Sequence, residues 1–184
     1  MSKNELQRLW ESKSLDIAKL PYKEKVEILQ LAITEAFGSD IYINNGGNSV
    51  LYPDFTKYNH YFSDGLYVRE MFCIKGCLAF SVIHNTANPL FIMKGKVSIS
   101  SKDGVQILKA PTFILTEPGT KRILHFLKDS VLVTVHPNPD GLTDLEEIDN
   151  KMFSCNWDQY DDTIKQDVWQ MFEHTEYHKN KSNK

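Results

Sequence analysis

The sequence predicts a mainly β domain, a sandwich or closed barrel, with helical extensions at both ends. Three observations carry this. Short alternating segments fill residues 65–137, Gly and Pro turns punctuate them, and no helix-length segment interrupts them. A parallel βαβ sheet, which needs such helices, is therefore not expected.

The first extension contains Pro21 to Phe37, where Val26, Leu29, Ile33, Ala36 and Phe37 recur at helical spacing. Pro21 suits the start and Gly38 the stop. This predicts an amphipathic arm over residues 1–40 that packs on the barrel or on a second subunit. The barrel itself is expected over residues 41–140. Leu66, Val68, Glu70 and Phe72 alternate with Tyr67, Arg69, Met71 and Cys73; Leu78, Phe80, Val82 and His84 share the face of a second strand. Val97 and Ile99 are joined to Val105 and Ile107 by a turn at Lys102-Asp103-Gly104. Ile123 and His125 oppose Arg122, Leu124 and Phe126, and Leu132, Thr134 and His136 oppose Val131, Val133 and Val135.

Residues 141–176 return to helix. Thr143-Asp144-Leu145-Glu146 has the form of a capping box with Thr143 at its head, and Ile164, Val168, Trp169 and Phe172 mark a second helix over about residues 161–174. The polar tail, residues 177–184, is expected to be disordered, and the His174/His178 pair in a frayed end reads as a solvated face.

Composition narrows the function. A hydrophobic content of 41%, 24% charged residues and a net charge of -3 are those of an ordinary globular protein, with no basic footprint for a nucleic-acid polymer. No apolar run has the length of a membrane span and no leader is visible, so a cytoplasmic location is expected. Cys73 and Cys77 flank a tight turn and Cys155 stands apart, which suits core thiols better than a zinc site. No nucleophile elbow, phosphate loop or dinucleotide fingerprint is present.

Two stretches carry the chemistry. Ser81 to Pro89, closing on Lys94-Gly95-Lys96-Val97, is similar to the first cupin motif, and Glu117-Pro118-Gly119-Thr120-Lys121-Arg122 is similar to the second. The run from Gly65 to Asp149 resembles an uncharacterised cupin-type family met in bacteriophage genomes, on Tyr67-Val68-Arg69-Glu70, Ile83-His84, Asn88-Pro89, Pro118-Gly119-Thr120, Asp129-Ser130-Val131 and Val135-His136-Pro137. The resemblance implies a single cupin-like, double-stranded β-helix barrel with its site inside. It also implies a metal held by three histidines and a glutamate. On that pattern His84 occupies one histidine position, while Val82, Asn88 and Arg122 stand at the other three.

The substitutions leave three readings. In the first, Arg122, His84, Asn88 and Glu70 form a donor-rich pocket for an anionic ligand bearing carboxylate or phosphate, nucleotide-like in one version, with Phe91 and Phe126 covering a flat ring. In the second, His84 and His136 rebuild a site for a divalent metal ion, the cofactor of an enzyme, with Glu70 or Asn88 completing it. Strand parity sets His125 on the face opposite Arg122, which makes His136 the better partner. In the third, the barrel is a scaffold and the helical arms bind other proteins. Glu70 is the candidate general base, with a structural ion pair as the simpler account. A homodimer is expected, from edge-strand pairing or an exchanged arm, and the phage resemblance suggests an accessory or counter-defence role in the infected host's cytoplasm.

Overall fold

The computed structural model describes residues 16–38, 41–43, 49–51 and 56–164. A 3-10 turn at Ile17–Lys19 leads into α1 (Tyr22–Phe37), followed by β1 (Ile41–Ile43), β2 (Ser49–Leu51), β3 (Thr56–Ser63), β4 (Gly65–Cys73), β5 (Leu78–Phe80) and β6 (Ile83–His84). Then come β7 (Asn88–Lys94), β8 (Lys96–Ser101), β9 (Gly104–Lys109), β10 (Thr112–Thr116), β11 (Ile123–Phe126), β12 (Ser130–Asn138), α2 (Leu145–Met152) and β13 (Phe153–Ser154).

The strands form two antiparallel sheets in the orders β1-β2-β5-β11-β8-β9 and β10-β7-β12-β4-β3, with a small β13-β6 pair at one end. Eight of these strands, β5-β11-β8-β9 in one sheet and β10-β7-β12-β4 in the other, cross repeatedly between the sheets along the chain. That interleaving of two Greek keys is the jelly roll of a cupin-like barrel. The protein is thus mainly β with helical extensions, as its alternation pattern predicts.

One end of the barrel is filled with apolar side chains. Cys73, Cys77, Leu90, Ile92, Val97, Ile99, Leu124, Phe126 and Leu132 pack there, and the two cysteines are free thiols. Burial pushes the Cys73 thiol up to about 12, which keeps it protonated and unreactive. Gly95 turns the chain between β7 and β8 at φ 92°, and a Cβ there would collide with the backbone of Asp129 and with Ser130.

The helices take places that periodicity left open. The Tyr22 hydroxyl at the head of α1 donates to the Ser100 carbonyl at 2.8 Å, so α1 lies on the barrel. Val26 and Ile28 are its buried residues, whereas Leu29, expected on the packed face, is exposed. The α2 cap is Asp144 rather than Thr143: its carboxylate accepts from the Glu146 and Glu147 amides at 2.9 and 3.0 Å. Ile148, Met152 and Phe153 pack on Tyr67 and Val82, so the C-terminal extension closes the second end of the barrel. Residues 157–164 are helical; the remainder of the expected second helix, with His174 and His178, lies outside the described residues.

Candidate functional site

Beneath α2 and β13 the barrel holds a cavity of about 80 Å3, lined by polar side chains from several strands: Arg69 on β4, His84 on β6, Thr116 on β10, Arg122 beside β11, and Thr134 and His136 on β12. The rest of its wall is largely apolar, with Met71, Phe80, Val82, Leu90, Leu132 and Phe153 beside Tyr58. The positions follow from strand register. His136 pairs with Tyr67 and Thr134 with Arg69 across β12 and β4, so the inward parity of one strand fixes that of the other. The loop between the sheets clasps β6 from behind: His84 N–H donates to the Thr120 carbonyl at 3.2 Å, and Gly119 N–H to the His84 carbonyl at 2.8 Å.

The two histidine rings lie parallel, 5° apart in plane with centroids at 5.9 Å, and the Phe153 ring meets each edge-on at 5.2 Å. Tyr67 continues the column beyond His136 at 5.8 Å. Burial drives both imidazoles down to about 3, with the His136 ring and then Arg122 and Arg69 adding to the effect at His84, and Arg69 at His136. Both are therefore neutral at physiological pH. His84 Nδ1, both ring nitrogens of His136 and Thr134 Oγ1 are buried without a hydrogen-bond partner. Such groups cost about 1–3 kcal/mol each when left unsatisfied.

The two arginines differ in how their charge is met. Arg69 donates to Asp149 of α2 at 2.5 Å and to the Tyr67 hydroxyl at 2.9 Å, and its guanidinium lies 4.9 Å from the centre of the Phe153 ring. Tyr67 is itself bonded to His60 Nδ1 at 2.7 Å. Arg122 is 8% exposed and is held by neutral oxygens: Nη1 donates to Thr116 Oγ1 at 2.6 Å and Nη2 to the Leu115 carbonyl at 3.2 Å. Among the described residues no carboxylate stands within ion-pair distance of it. Burial lowers its affinity for a proton, but a guanidinium stays charged.

Of the residues singled out from the sequence, His84, His136 and Arg122 converge on this cavity. His125 is exposed on the other face. Asn88 is buried with both amide atoms unpartnered, opposite Thr116 in the β7–β10 pair, yet it lies outside the cavity lining. Three candidates lie elsewhere. Glu70 has the opposite strand parity to Arg69 and accepts from Asn59 at 2.7 Å and the Tyr61 hydroxyl at 3.2 Å on the outer face of β3, so the structure supplies neither a base in the cavity nor the arginine or lysine pairing expected for it. Phe91 packs on Phe113 at 5.7 Å on an outward face, and Phe126 points inward but belongs to the apolar end. The residues not foreseen are Arg69, Asp149, Thr116, Thr134, Tyr58 and Phe153. The one available signal was the shared parity of Tyr67, Arg69 and Met71, with an arginine at an inward position.

The resemblance implies a metal, and the cavity tests that implication directly. Two neutral imidazoles face it, but two guanidiniums face it as well, and among the described residues no carboxylate lines it. Asp149, the nearest acidic partner identified, is committed to Arg69. No group of three or more His, Cys, Asp or Glu side chains that could hold a metal occurs among the described residues. A divalent cation would meet net positive charge with only two donors, so the residues do not fit it.

No family model and no curated protein matches this chain. Solved structures are similar over part of the chain. A cupin-2 domain protein from Shewanella frigidimarina aligns at 11% identity and TM-score 0.39 over 45% of this chain and 80% of its own. An acetylacetone dioxygenase from Acinetobacter johnsonii aligns at 16% identity and TM-score 0.40 over 55% and 79%. The hydroxypropylphosphonic acid epoxidase of S. wedmorenis aligns at 15% identity and TM-score 0.40 over 45% and 51%. No helix among the described residues is long and apolar enough to cross a membrane.

Proposed function

We propose that the protein binds a small anion, a carboxylate of a few heavy atoms, inside the barrel. One observation carries the reading: the buried Arg122 guanidinium lines the cavity and, among the described residues, is met by the neutral oxygens of Thr116 and Leu115 and by no carboxylate. Burying a charge without a counter-ion is costly, and a carboxylate docked on the planar fork removes that cost. The unpartnered Thr134 hydroxyl and the neutral imidazoles of His84 and His136 supply further hydrogen bonds around it. The Arg69 charge is balanced by Asp149, so it adds shape and donors rather than net charge. Ligand pockets for larger molecules measure roughly 300 Å3 or more, and about 80 Å3 does not admit a nucleotide.

The experiment is a thermal-shift titration with acetate and formate against chloride. The carboxylates are expected to raise Tm saturably, and Arg122→Gln to abolish the rise. Equal responses to chloride, or an undiminished shift in Arg122→Gln, would sink the reading. Stoichiometric metal in the purified protein, lost on His84→Ala, would instead favour the metal-dependent alternative.

The protein is further proposed to act as a homodimer. Val105, Ile107, Phe113 and Leu115 are each more than half exposed, on β9 and β10, the outer strands of their sheets. Sedimentation tests this, with a monomer at all concentrations as the contrary outcome. An accessory role in a phage-infected host rests on the sequence resemblance, and growth of a phage lacking the gene, at wild-type yield in every host, would remove it.

A further inference from the structure

A second concavity of about 350 Å3 lies outside the barrel, between the first turn of α1, the β8–β9 turn, the loop from Glu117 to Arg122, and Trp157. It is several times larger than the interior cavity and reaches the range of small-molecule pockets. Four cations, Lys23, Lys102, Lys121 and Arg122, border it against two carboxylates, Asp103 and Glu117.

Two of those cations converge on one ring. Lys23 Nζ lies 5.3 Å and Lys121 Nζ 5.6 Å from the centre of Trp157. They come from chain segments about a hundred residues apart, and the Tyr22 hydroxyl ties those segments together by donating to the carbonyls of Ser100 and Lys121. Lys121 is only 5% exposed. Both ammonium groups border the groove, where a multiply charged anion would gain from each.

We propose that this groove binds the phosphate group of a small phosphorylated molecule, with Lys23 and Lys121 as its main partners and Trp157 as a wall. Lysines arriving from different directions suit a tetrahedral dianion, whereas a carboxylate is better served by a single planar fork. The volume beyond the phosphate receives the rest of the ligand. Its main partners differ from those of the carboxylate reading, because neither lysine lines the interior cavity, although Arg122 borders both spaces.

Calorimetry on the full chain at low salt, with phenyl phosphate as probe and benzoate as its carboxylate counterpart, tests it. Phenyl phosphate is expected to bind saturably and benzoate far more weakly. Lys23→Gln is expected to weaken phenyl phosphate binding roughly tenfold, the loss of one charge-assisted contact, and to leave the acetate response of the interior unchanged. Lys23 is partly exposed, so this variant is expected to fold, and its near-ultraviolet circular dichroism provides the check. Should that signal be lost, adding salt to the wild type serves instead, and phenyl phosphate binding must weaken as salt rises. Absent binding, equal affinity for benzoate, or wild-type affinity in a folded Lys23→Gln would each overturn it.

Discussion

The two ends of the barrel are built on opposite principles. At one, Phe126, Ile92, Val97 and Ile99 fill the space between the sheets with hydrocarbon. At the other, the same two sheets enclose His84, His136, Thr134 and Arg122, four side chains whose polar atoms or charge the protein does not fully satisfy. The apolar end maximises burial, and the polar end gives up stability to hold a shaped space with hydrogen-bonding groups on its wall. A fold under no functional demand would have no reason to keep the second arrangement.

Acid draws the sharpest line between the ends. The unfolded chain protonates its histidines from the ordinary value of 6.5 downward, whereas the folded His84 and His136 resist until about 3. Their contribution is therefore fully present above pH 6.5, declines as pH falls through that window, and levels off below it. Each histidine contributes up to about 1.4 kcal/mol of lost stability per pH unit. Denaturant midpoints measured across pH should show this slope, and a His84→Leu/His136→Leu variant should flatten it; an unchanged slope would mean that the pair is not buried neutral.

Smaller effects separate the ends by mutation. Phe126→Ala should cost about 3–5 kcal/mol by chemical denaturation, with acetate binding retained, because the apolar end supplies only packing. Asp149→Ala should cost about 2–3 kcal/mol, less than a fully buried pair because both partners keep slight exposure. Its removal also releases α2 from Arg69, so acetate binding should weaken too. His136→Leu is expected to act in the opposite direction, stabilising the protein by about 1 kcal/mol while weakening acetate binding, since it deletes two orphaned nitrogens. If His136→Leu destabilises instead, the ring is a packing element and the contrast between the ends is weaker than drawn.

How far the site could be read in advance depended on parity. Within one strand, alternation correctly placed His136 with Thr134 and set His125 against Arg122, because successive side chains must point to opposite faces. Glu70 shows the limit of that rule. It neighbours the inward Arg69, and only the pairing of β4 with β3 reveals that Asn59 and Tyr61 wait for it outside. Phe91 and Phe126 failed for a different reason, since parity says nothing about which end of a barrel a residue occupies.

By itself the sequence determined the strand alternation, the turns, the mainly β class and, through its likeness to the cupin motifs, the substitution that places Arg122 where a neutral ligand residue was expected. These are local or positional properties, written in residue type and spacing. Only the tertiary structure decided that α2 caps the barrel, that Asp149 neutralises Arg69 while Arg122 receives no carboxylate from the described residues, and that Lys23 and Lys121 share Trp157. Each depends on contacts between segments far apart in the chain, and whether a buried charge is balanced is settled only when those segments meet.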